Sequence, residues 1–264
     1  MAPPAAEWDA QAYHRISDPQ LVWGRAVLAR LPLAGDETVL DAGCGTGRVT
    51  AELLDRLPRG RVIALDASRA MLEAARAHLE PLHPGRVTYL HAALEALDLD
   101  GAADVVFSAS VFHWVPDQAR LFANLFRALR PGGLLEAQCG GAGTLRRLHA
   151  RAEALGRRPP FAPAFAGFRY PAAVPDGGAT AARLRAAGLA EVDAAIADWP
   201  VPLGDAAAYA TFVEKSILGP YLAELAGDEL RRLFVAELTA QAAADDPPFV
   251  LDCRRLDLHG RRPA

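Results

Sequence analysis

Short apolar runs alternate along the first half of the chain with segments in which apolar residues recur every three or four positions. Within residues 48–57, Val49, Leu53 and Leu57 share one helical face, and within 68–79 the apolar face follows Ser68, a residue suited to cap a helix N-terminus. The strand-length runs span residues 38–41, 61–66, 87–91, 103–108 and 134–139. This alternation predicts a doubly wound α/β fold, in which helices cover both faces of a mostly parallel sheet and ligands bind beyond the carboxyl ends of the strands.

The regular alternation stops after residue 139. A helical segment at 144–155 leads into a stretch rich in proline, glycine and aromatic residues at 159–178, which is typical of a loop. A helix at 179–187, which Gly188 would end, and a strand at 191–199 resume the pattern. Residues 205–243 then show helical spacing with a break at Gly219, and residues 249–259 have the pattern of a last strand. The helical segment between the last two strands fits no step of the alternation.

Composition and charge narrow the classes of partner. The chain has 264 residues, a formal net charge of -4 and a pI near 6.0, so no global positive field would attract a nucleic acid. The three cysteines are widely spaced without a Cys-x-x-Cys pair, which indicates neither a disulfide framework nor a metal site. The acidic N-terminus lacks a secretory pattern, and no run reaches the ~20 apolar residues of a membrane span. We therefore expect a cytoplasmic protein that binds neither nucleic acid nor membrane.

The candidate ligand site is the stretch VLDAGCGTGRVT at 39–50, which places an aspartate and three glycines at the end of the first strand. The glycines free the backbone for positive φ angles and predict the close approach of a ligand. A dinucleotide-binding loop would need a further glycine where Arg48 stands. Asp66, 19 residues beyond the last glycine, ends the strand VIALD, where a carboxylate can accept hydrogen bonds from both ribose hydroxyls of a nucleoside. The spacing predicts an adenosyl ligand without a pyrophosphate.

These residues resemble the S-adenosylmethionine site of class I methyltransferases. The resemblance covers the strand and helix register of about residues 36–140, and it includes the Asp66-Ala67 pair followed by Met71 and the RPGG turn at 130–133. It implies a Rossmann-like methyltransferase fold, with a mostly parallel seven-stranded sheet and a helical cap, and S-adenosylmethionine as the cofactor. The expected organisation is N-terminal cap helices at 1–35, a cofactor-binding core at 36–140, a lid or insert at 141–178, and the end of the core at 179–264 with a helical insert at about 205–243.

The resemblance also implies which residues bind the cofactor. They are Asp41, Gly43, Gly45, Gly47, Asp66, Ala67, Met71, Ala92, Ala93, Leu94 and Ser108. Asp41 and the glycine loop would hold the methionine part of the cofactor, and Asp66 the ribose. The family often has an aspartate after the third strand that bonds the adenine amine, whereas this chain has Ala92 and Ala93. The adenine would therefore meet backbone groups near Leu94 in place of a carboxylate.

The loop SASVFHWVPD at 108–117 is the candidate acceptor side of the site. Together with YHRISDPQLVWG at 13–24 and GGAGT at 140–144, it resembles the subgroup that includes the trans-aconitate methyltransferases. His113 is the catalytic candidate, as a general base or an acceptor contact, and the alternative is a structural histidine that only makes a hydrogen bond. The candidate substrate-binding residues are Tyr13, His113, Trp114, Arg146, Arg169 and Tyr170. The arginines near the C-terminus are interpreted as surface charges on and after an edge strand.

Methyl transfer from a sulfonium is an in-line displacement, so it needs no nucleophilic side chain from the protein. We expect transfer to an oxygen of a small-molecule carboxylate or hydroxyl, by a monomer or a homodimer. The alternatives are a methyltransferase that acts on RNA or protein, and a protein that binds the cofactor without transfer. An RNA or protein methyltransferase is less favoured, because an Asn/Asp-Pro-Pro-Tyr-type motif would then follow the fourth strand, where this chain has SASVFHW.

Overall fold

A computed structural model describes residues 18–172 and 174–264 of the chain. These residues fall into two units. Residues 18–142, 174–197 and 255–264 form the first unit, and residues 143–172 and 198–254 form the second. Most of the segment interpreted as a lid and all of the helical insert at 205–243 therefore belong to one unit, whereas the first described helix belongs to the other.

The helices and strands follow the predicted alternation. The strands are β1 (Thr38–Ala42), β2 (Arg61–Asp66), β3 (Val87–His91), β4 (Ala103–Ala109), β5 (Leu129–Gly140), β6 (Ala190–Asp198), β7 (Val201–Pro202), β8 (Val250–Leu251) and β9 (Arg254–Arg261). The helices are α1 (Asp18–Arg30), α2 (Arg48–Asp55), α3 (Arg69–Leu79), α4 (Gln118–Ala128), α5 (Arg146–Gly156), α6 (Gly177–Ala186), α7 (Ala206–Ser216), α8 (Gly219–Glu224) and α9 (Asp228–Ala243). Within the described ranges, no helix has both the length and the apolar character needed to cross a membrane.

The first unit is built on a seven-stranded sheet in the order β3-β2-β1-β4-β5-β9-β6. The pairs β1–β2, β1–β4, β2–β3 and β4–β5 are parallel, and β9 runs antiparallel to β5. The chain order reverses between β1 and β4, the position at which doubly wound sheets bind ligands. The predicted fold class, a mostly parallel seven-stranded sheet flanked by helices, is confirmed.

Side chains of each strand alternate between two apolar clusters on the two faces of this sheet. Val39 of β1 packs in the cluster that contains residues of α1, α2 and α3, and the next residue, Leu40, packs in the cluster that contains residues of α4 and α6. Asp41 follows the alternation back to the face of Val39, where it is only 2% exposed. The burial of this carboxyl group is therefore set by its register on the strand.

Two segments differ from the sequence prediction. Strand β5 begins at Leu129 and includes the RPGG segment, because the pairing with β4 jumps from Leu129 opposite Ala103 to Leu134 opposite Val105. The predicted strand at 249–259 is two strands in different sheets: β8 pairs with β7, and β9 pairs with β5. The interpretation of this C-terminal strand as an edge strand was wrong, because β9 lies between β5 and β6.

The second unit contains α5, α7, α8, α9 and the small β7–β8 sheet. Its interior is aromatic: Tyr221 and Phe234 are fully buried, and the ring of Phe161 packs edge-on against Phe234 at 5.2 Å between centroids. The predicted break in the helical segment is present, since α7 ends at Ser216 and α8 begins at Gly219. This unit therefore has an apolar core of its own.

Candidate functional site

The glycine loop after β1 has one open position. Gly43, Gly45 and Gly47 have φ angles of +93°, +54° and +81°, which disfavour residues with a side chain. A Cβ atom on Gly43 would lie 2.2 Å from Cγ2 of Val111, and one on Gly47 would lie 3.0 Å from Cδ1 of Leu79. A Cβ atom on Gly45 would have no atom within 4 Å apart from those of Gly45 and its two chain neighbours. Gly45 therefore leaves the most room for the predicted ligand, whereas Gly43 and Gly47 also make room for side chains of the protein.

Asp66 at the end of β2 connects this loop to α3. Its Oδ2 accepts a hydrogen bond from the Gly45 N–H at 2.9 Å, and its Oδ1 accepts one from the Ser68 N–H at 2.9 Å. Burial raises the pKa of the Asp66 carboxyl group, and these backbone donors oppose the increase. Next to it, the Ala67 carbonyl oxygen lies 3.1 Å from Nε2 of His91. Each carboxylate oxygen can accept a second hydrogen bond, so Asp66 can hold the loop and still bind a diol.

Asp41 is the buried carboxyl group beside the loop. The hydroxyl of Thr50 donates to its Oδ2 at 2.6 Å. Burial raises the pKa of Asp41 to about 7, the Thr50 hydrogen bond counteracts part of this increase, and the nearby charge of Asp66 adds to it. A carboxyl group with this pKa is half-ionised near neutral pH, so a cation bound beside it would favour the ionised form.

A cavity of about 60 Å³ lies above the loop and is lined by Asp41, Gly43, Gly45 and Phe107, and by Gln20 of helix α1. Among the described residues, the lining contains acceptor groups, open backbone, the aromatic ring of Phe107 and the guanidinium of Arg48. Such a site fits the amino-acid end of S-adenosylmethionine, whose ammonium group needs acceptors, while Asp66 at the next strand end fits the ribose. The residues present therefore match the cofactor that the sequence resemblance implies.

The part of the candidate site that would receive the adenine of the cofactor is formed by backbone more than by side chains. Met71 and Leu94 are both 4% exposed and pack in the protein interior. Ala93 precedes a short 3₁₀ helix over Leu94–Ala96, and the Leu94 carbonyl accepts a hydrogen bond from Nδ2 of Asn124 at 2.9 Å. Ala92 directly follows β3. An adenine ring at this edge would thus meet main-chain groups, as expected from the alanines that stand where the family often has an aspartate.

Hydrogen bonds from Ser108 and Ser110 connect the end of β4 to the neighbouring strands β1 and β5. The hydroxyl of Ser108 donates to the Ala42 carbonyl at 2.6 Å, and the side chain is buried within the sheet. Ser110 adopts a left-handed conformation with φ of +65°, and its N–H donates to the Gln138 carbonyl at 2.7 Å. The structure therefore gives the Ser108 hydroxyl a partner inside the protein, and the loop that follows is held in a strained backbone conformation.

His113 lies in a 3₁₀ turn after β4 and is half-buried. The Gly140 N–H at the end of β5 donates to its Nδ1 at 3.3 Å, and the ring of Trp114 lies 5.1 Å away between centroids. Burial, and then the charge of Arg255, lowers the pKa of His113 to about 3. The imidazole is therefore neutral at physiological pH, with its proton on Nε2, and a general-base role, which the sequence analysis held open, is disfavoured.

Arg255 is a residue that the sequence analysis missed. It was interpreted as a surface charge, but it is 4% exposed, because its guanidinium packs on the ring of Trp23 and bonds to the neighbouring loop and strand. Its Nη2 donates to the Ser110 hydroxyl at 2.7 Å and its Nε to the Gln138 side-chain oxygen at 3.2 Å. The guanidinium also lies 4.0 Å from the ring centroid of Trp23. The cation thus supports the loop that carries His113. Strand alternation in RRLDLH places Arg255 on the same face as Asp257 and His259, so no local pattern indicated its burial.

The other predicted acceptor residues lie in the second unit or outside the described residues. Arg146, the first residue of α5, and Arg169 are exposed. The hydroxyl of Tyr170 donates to the Ile217 carbonyl at 3.0 Å, and burial raises the pKa of that hydroxyl. Tyr13 lies outside the described residues. Of the predicted acceptor residues that the structure describes, His113 and Trp114 belong to the same unit as the glycine loop.

Sequence comparisons agree with the chemistry of this site. The profile of a family described as a methyltransferase domain matches residues 39–133. A protein named trans-aconitate 2-methyltransferase from Azoarcus sp. (strain BH72) is 35% identical over 251 residues, 94% of this chain and 94% of the relative. One of the same name from Methylobacterium radiotolerans is 34% identical over 260 residues, 95% of this chain and 94% of the relative. The similarity therefore extends over nearly the whole of both relatives.

Solved structures show the same fold at low sequence identity. Phosphoethanolamine N-methyltransferase 2 of Haemonchus contortus, solved with phosphomonomethylethanolamine and S-adenosylhomocysteine, gives a TM-score of 0.63 at 19% identity, over 97% of this chain and 57% of its own. The cyclase SpnF gives a TM-score of 0.61 at 18% identity, over 99% of this chain and 85% of its own. Since a cyclase shares the fold, these structures support the architecture alone.

Proposed function

We propose that this chain, which belongs to the trans-aconitate 2-methyltransferase family, methylates a carboxylate oxygen of a small acid that carries several carboxylates. The enzyme transfers a methyl group from S-adenosylmethionine to a small-molecule acceptor. The named acceptor of the relatives, trans-aconitate, is the first acid to be tested. The proposal is supported by a similarity that covers 94% of both chains in the Azoarcus relative.

The observation that carries the proposal is the state of His113. Its Nδ1 accepts a hydrogen bond from Gly140, and burial together with the Arg255 charge lowers its pKa to about 3. At neutral pH the ring therefore offers a hydrogen-bond donor, Nε2–H, and no base. A carboxylate is already an anion at this pH and benefits from a donor, whereas a phenol or alcohol gains from a base that removes its proton.

The residues of the first unit can be assigned complementary tasks. When bound, S-adenosylmethionine supplies an electrophilic methyl group on its sulfonium. Asp41 would accept from the ammonium of its amino-acid end, and Asp66 from the ribose hydroxyls. His113 would donate from Nε2 to one oxygen of the acceptor carboxylate, which orients the group and leaves the other oxygen to form the ester bond. No proton has to be removed in this step.

Two variants of His113 separate donation from base catalysis. The His113→Gln variant keeps an N–H donor at the end of the side chain, whereas His113→Leu has neither donor nor base. With trans-aconitate as the acceptor, we expect kcat/KM to fall ~10- to 100-fold in His113→Leu and much less in His113→Gln, in keeping with the loss of a hydrogen bond to a charged group. Calorimetric titration with S-adenosylhomocysteine serves as the control, since the cofactor affinity should not change.

The pH profile of the wild-type enzyme gives an independent readout. With S-adenosylmethionine at saturation, so that ionisation of Asp41 does not limit cofactor binding, we expect kcat/KM for a carboxylate acceptor to be flat from about pH 6 to about pH 9. The reason is that no proton is removed from the acceptor and the His113 ring stays neutral. A profile that rises with the ordinary pKa of histidine, combined with equal losses in the Gln and Leu variants, would contradict the donor role. Transfer to phenols but not to trans-aconitate or any other small carboxylic acid would contradict the proposed acceptor class.

A further inference from the structure

An amide oxygen on helix α1 is buried without a partner. Oε1 of Gln20 is inaccessible to solvent and has no hydrogen-bond partner among the described residues. Buried acceptors in native proteins nearly always have a donor, so each exception calls for an explanation such as a ligand. Gln20 lies in the first turn of α1, outside the predicted cofactor motif.

The side chain lines the cavity above the glycine loop. Gln20 shares this cavity of about 60 Å³ with Asp41, Gly43 and Gly45. Asp41 is a carboxyl group whose remaining oxygen can accept hydrogen bonds, since the Thr50 hydroxyl bonds to Oδ2. Two acceptor side chains from different elements therefore line one small cavity, together with Arg48 of α2 and several apolar residues.

Helix α1 is held over the loop by packing and by ion pairs. A Cβ atom on Gly24 would lie 2.6 Å from Cγ2 of Val49, so α1 and α2 touch closely at this point. Arg25 forms a bidentate pair with Glu52, with a shortest distance of 2.7 Å. Trp23, Val27 and Leu28 of α1 are buried in the unit. The position of Gln20 is thus built into the packing of α1 on α2.

We propose that Gln20 is a cofactor-binding residue whose Oε1 accepts a hydrogen bond from the ammonium group in the methionine half of S-adenosylmethionine, beside Asp41. An ammonium group has three N–H donors and needs several acceptors when it leaves water. The cavity supplies the Asp41 carboxylate and the neutral amide oxygen of Gln20 as acceptors for the ammonium, and its lining also contains the guanidinium of Arg48, which suits the carboxylate of the methionine half. The assignment rests on the cofactor class and does not depend on which acceptor is methylated.

Three ligands and two variants test this contact by calorimetry with the full chain. S-adenosylmethionine carries both the ammonium and the carboxylate, decarboxylated S-adenosylmethionine keeps the ammonium alone, and methylthioadenosine lacks both. We expect Gln20→Met to weaken the first two ligands by about tenfold each and to leave methylthioadenosine unchanged. Gln20→Glu, which keeps an acceptor, should bind the two amine ligands within about threefold of wild type. Val22→Ala, at an exposed position of the same helix, is the control and should change none of the three affinities.

Two results would overturn the proposal. If the variants weaken S-adenosylmethionine but spare its decarboxylated form, the amide donates to the ligand carboxylate instead. If Gln20→Met weakens all three ligands equally or none of them, Gln20 serves the packing of α1 or has no role in binding. If Gln20→Met lowers the melting temperature, Gln20→Glu distinguishes the two possible contacts. A contact with the ligand ammonium predicts that Gln20→Glu still binds both amine ligands, whereas a contact with the ligand carboxylate predicts that it binds S-adenosylmethionine more weakly and the decarboxylated form as before. No acceptor is present in these titrations, so their outcome is independent of the proposed reaction.

Discussion

Replacing Asp41 by asparagine should stabilise the protein and weaken its binding of the cofactor. Asp41 is 2% exposed, and burial raises the pKa of its carboxyl group to about 7, although the Thr50 hydrogen bond acts in the opposite direction. Ionisation of this group in the folded state therefore costs free energy. Asparagine avoids that cost, and its side-chain oxygen can still accept from the Thr50 hydroxyl.

The size of the effect follows from the difference between the folded and unfolded pKa of Asp41. An unfolded aspartate titrates near 3.9, so a folded pKa of about 7 corresponds to ~4 kcal/mol at 1.36 kcal/mol per unit. Because the folded pKa is the higher one, the folded protein binds more protons than the unfolded chain between about pH 4 and about pH 7, and stability falls as the pH rises through this window. The free energy of unfolding of Asp41→Asn should therefore exceed that of the wild type by ~1.5 kcal/mol at about pH 5 and by ~4 kcal/mol at about pH 8.

Urea unfolding at the two pH values measures this difference, and calorimetry with S-adenosylhomocysteine at about pH 8 measures the loss in affinity, which we expect to be about tenfold or more. The matched control is Thr50→Val, which removes the hydrogen bond and should destabilise the protein more at about pH 8 than at about pH 5. An asparagine variant with the same stability advantage at both pH values would refute the raised pKa. An unchanged cofactor affinity would refute the assignment of Asp41 as a ligand of the amino-acid end of the cofactor.

Three further predictions concern single contacts. Asp66→Ala should lose ~1 to 3 kcal/mol of cofactor binding, a tenfold to hundredfold weaker affinity by calorimetry, and unchanged binding would contradict its role at the ribose. Gly43→Ala should cost ~2 to 5 kcal/mol in urea unfolding, because of its φ of +93° and the contact with Val111, and Val111→Ala in the same chain should recover part of this loss. Arg255→Met should raise the pKa of His113 in an NMR titration, since the Arg255 charge lowers it, and a pKa that stays the same would contradict their coupling.

The fold could be predicted largely from local patterns, and the differences arise where tertiary pairing decides. The helix predicted at 68–79 is present as α3, with the Ser68 hydroxyl accepting from the Met71 N–H. The strand predicted at 249–259 divides because its first part pairs with β7 and its second with β5, and its alternating pattern is compatible with both sheets. Nothing local in the sequence marks the point at which a strand changes partners.

The candidate site was predictable where its residues are close in sequence. Asp41, the glycine loop and Asp66 follow one another along the first two strands, so their spacing and the family resemblance indicated them as candidates. The environment of His113 could not be predicted, because it depends on an N–H donor 27 positions away and on a charge from the last strand. The open acceptor of Gln20 likewise follows from the packing of a helix that the cofactor motif does not include.

Methyl transfer to a carboxylate oxygen is tested most directly by identifying the bond that forms. The protein is incubated with trans-aconitate and with S-adenosylmethionine whose methyl group carries an isotopic label, and the products are analysed by NMR and mass spectrometry. We predict a labelled methyl ester of the acid, which mild alkali hydrolyses back to the acid and labelled methanol. A product that keeps its label in alkali, as a methyl ether or a methylamine would, or transfer to hydroxyl or amine acceptors with none to any carboxylic acid, would contradict this prediction.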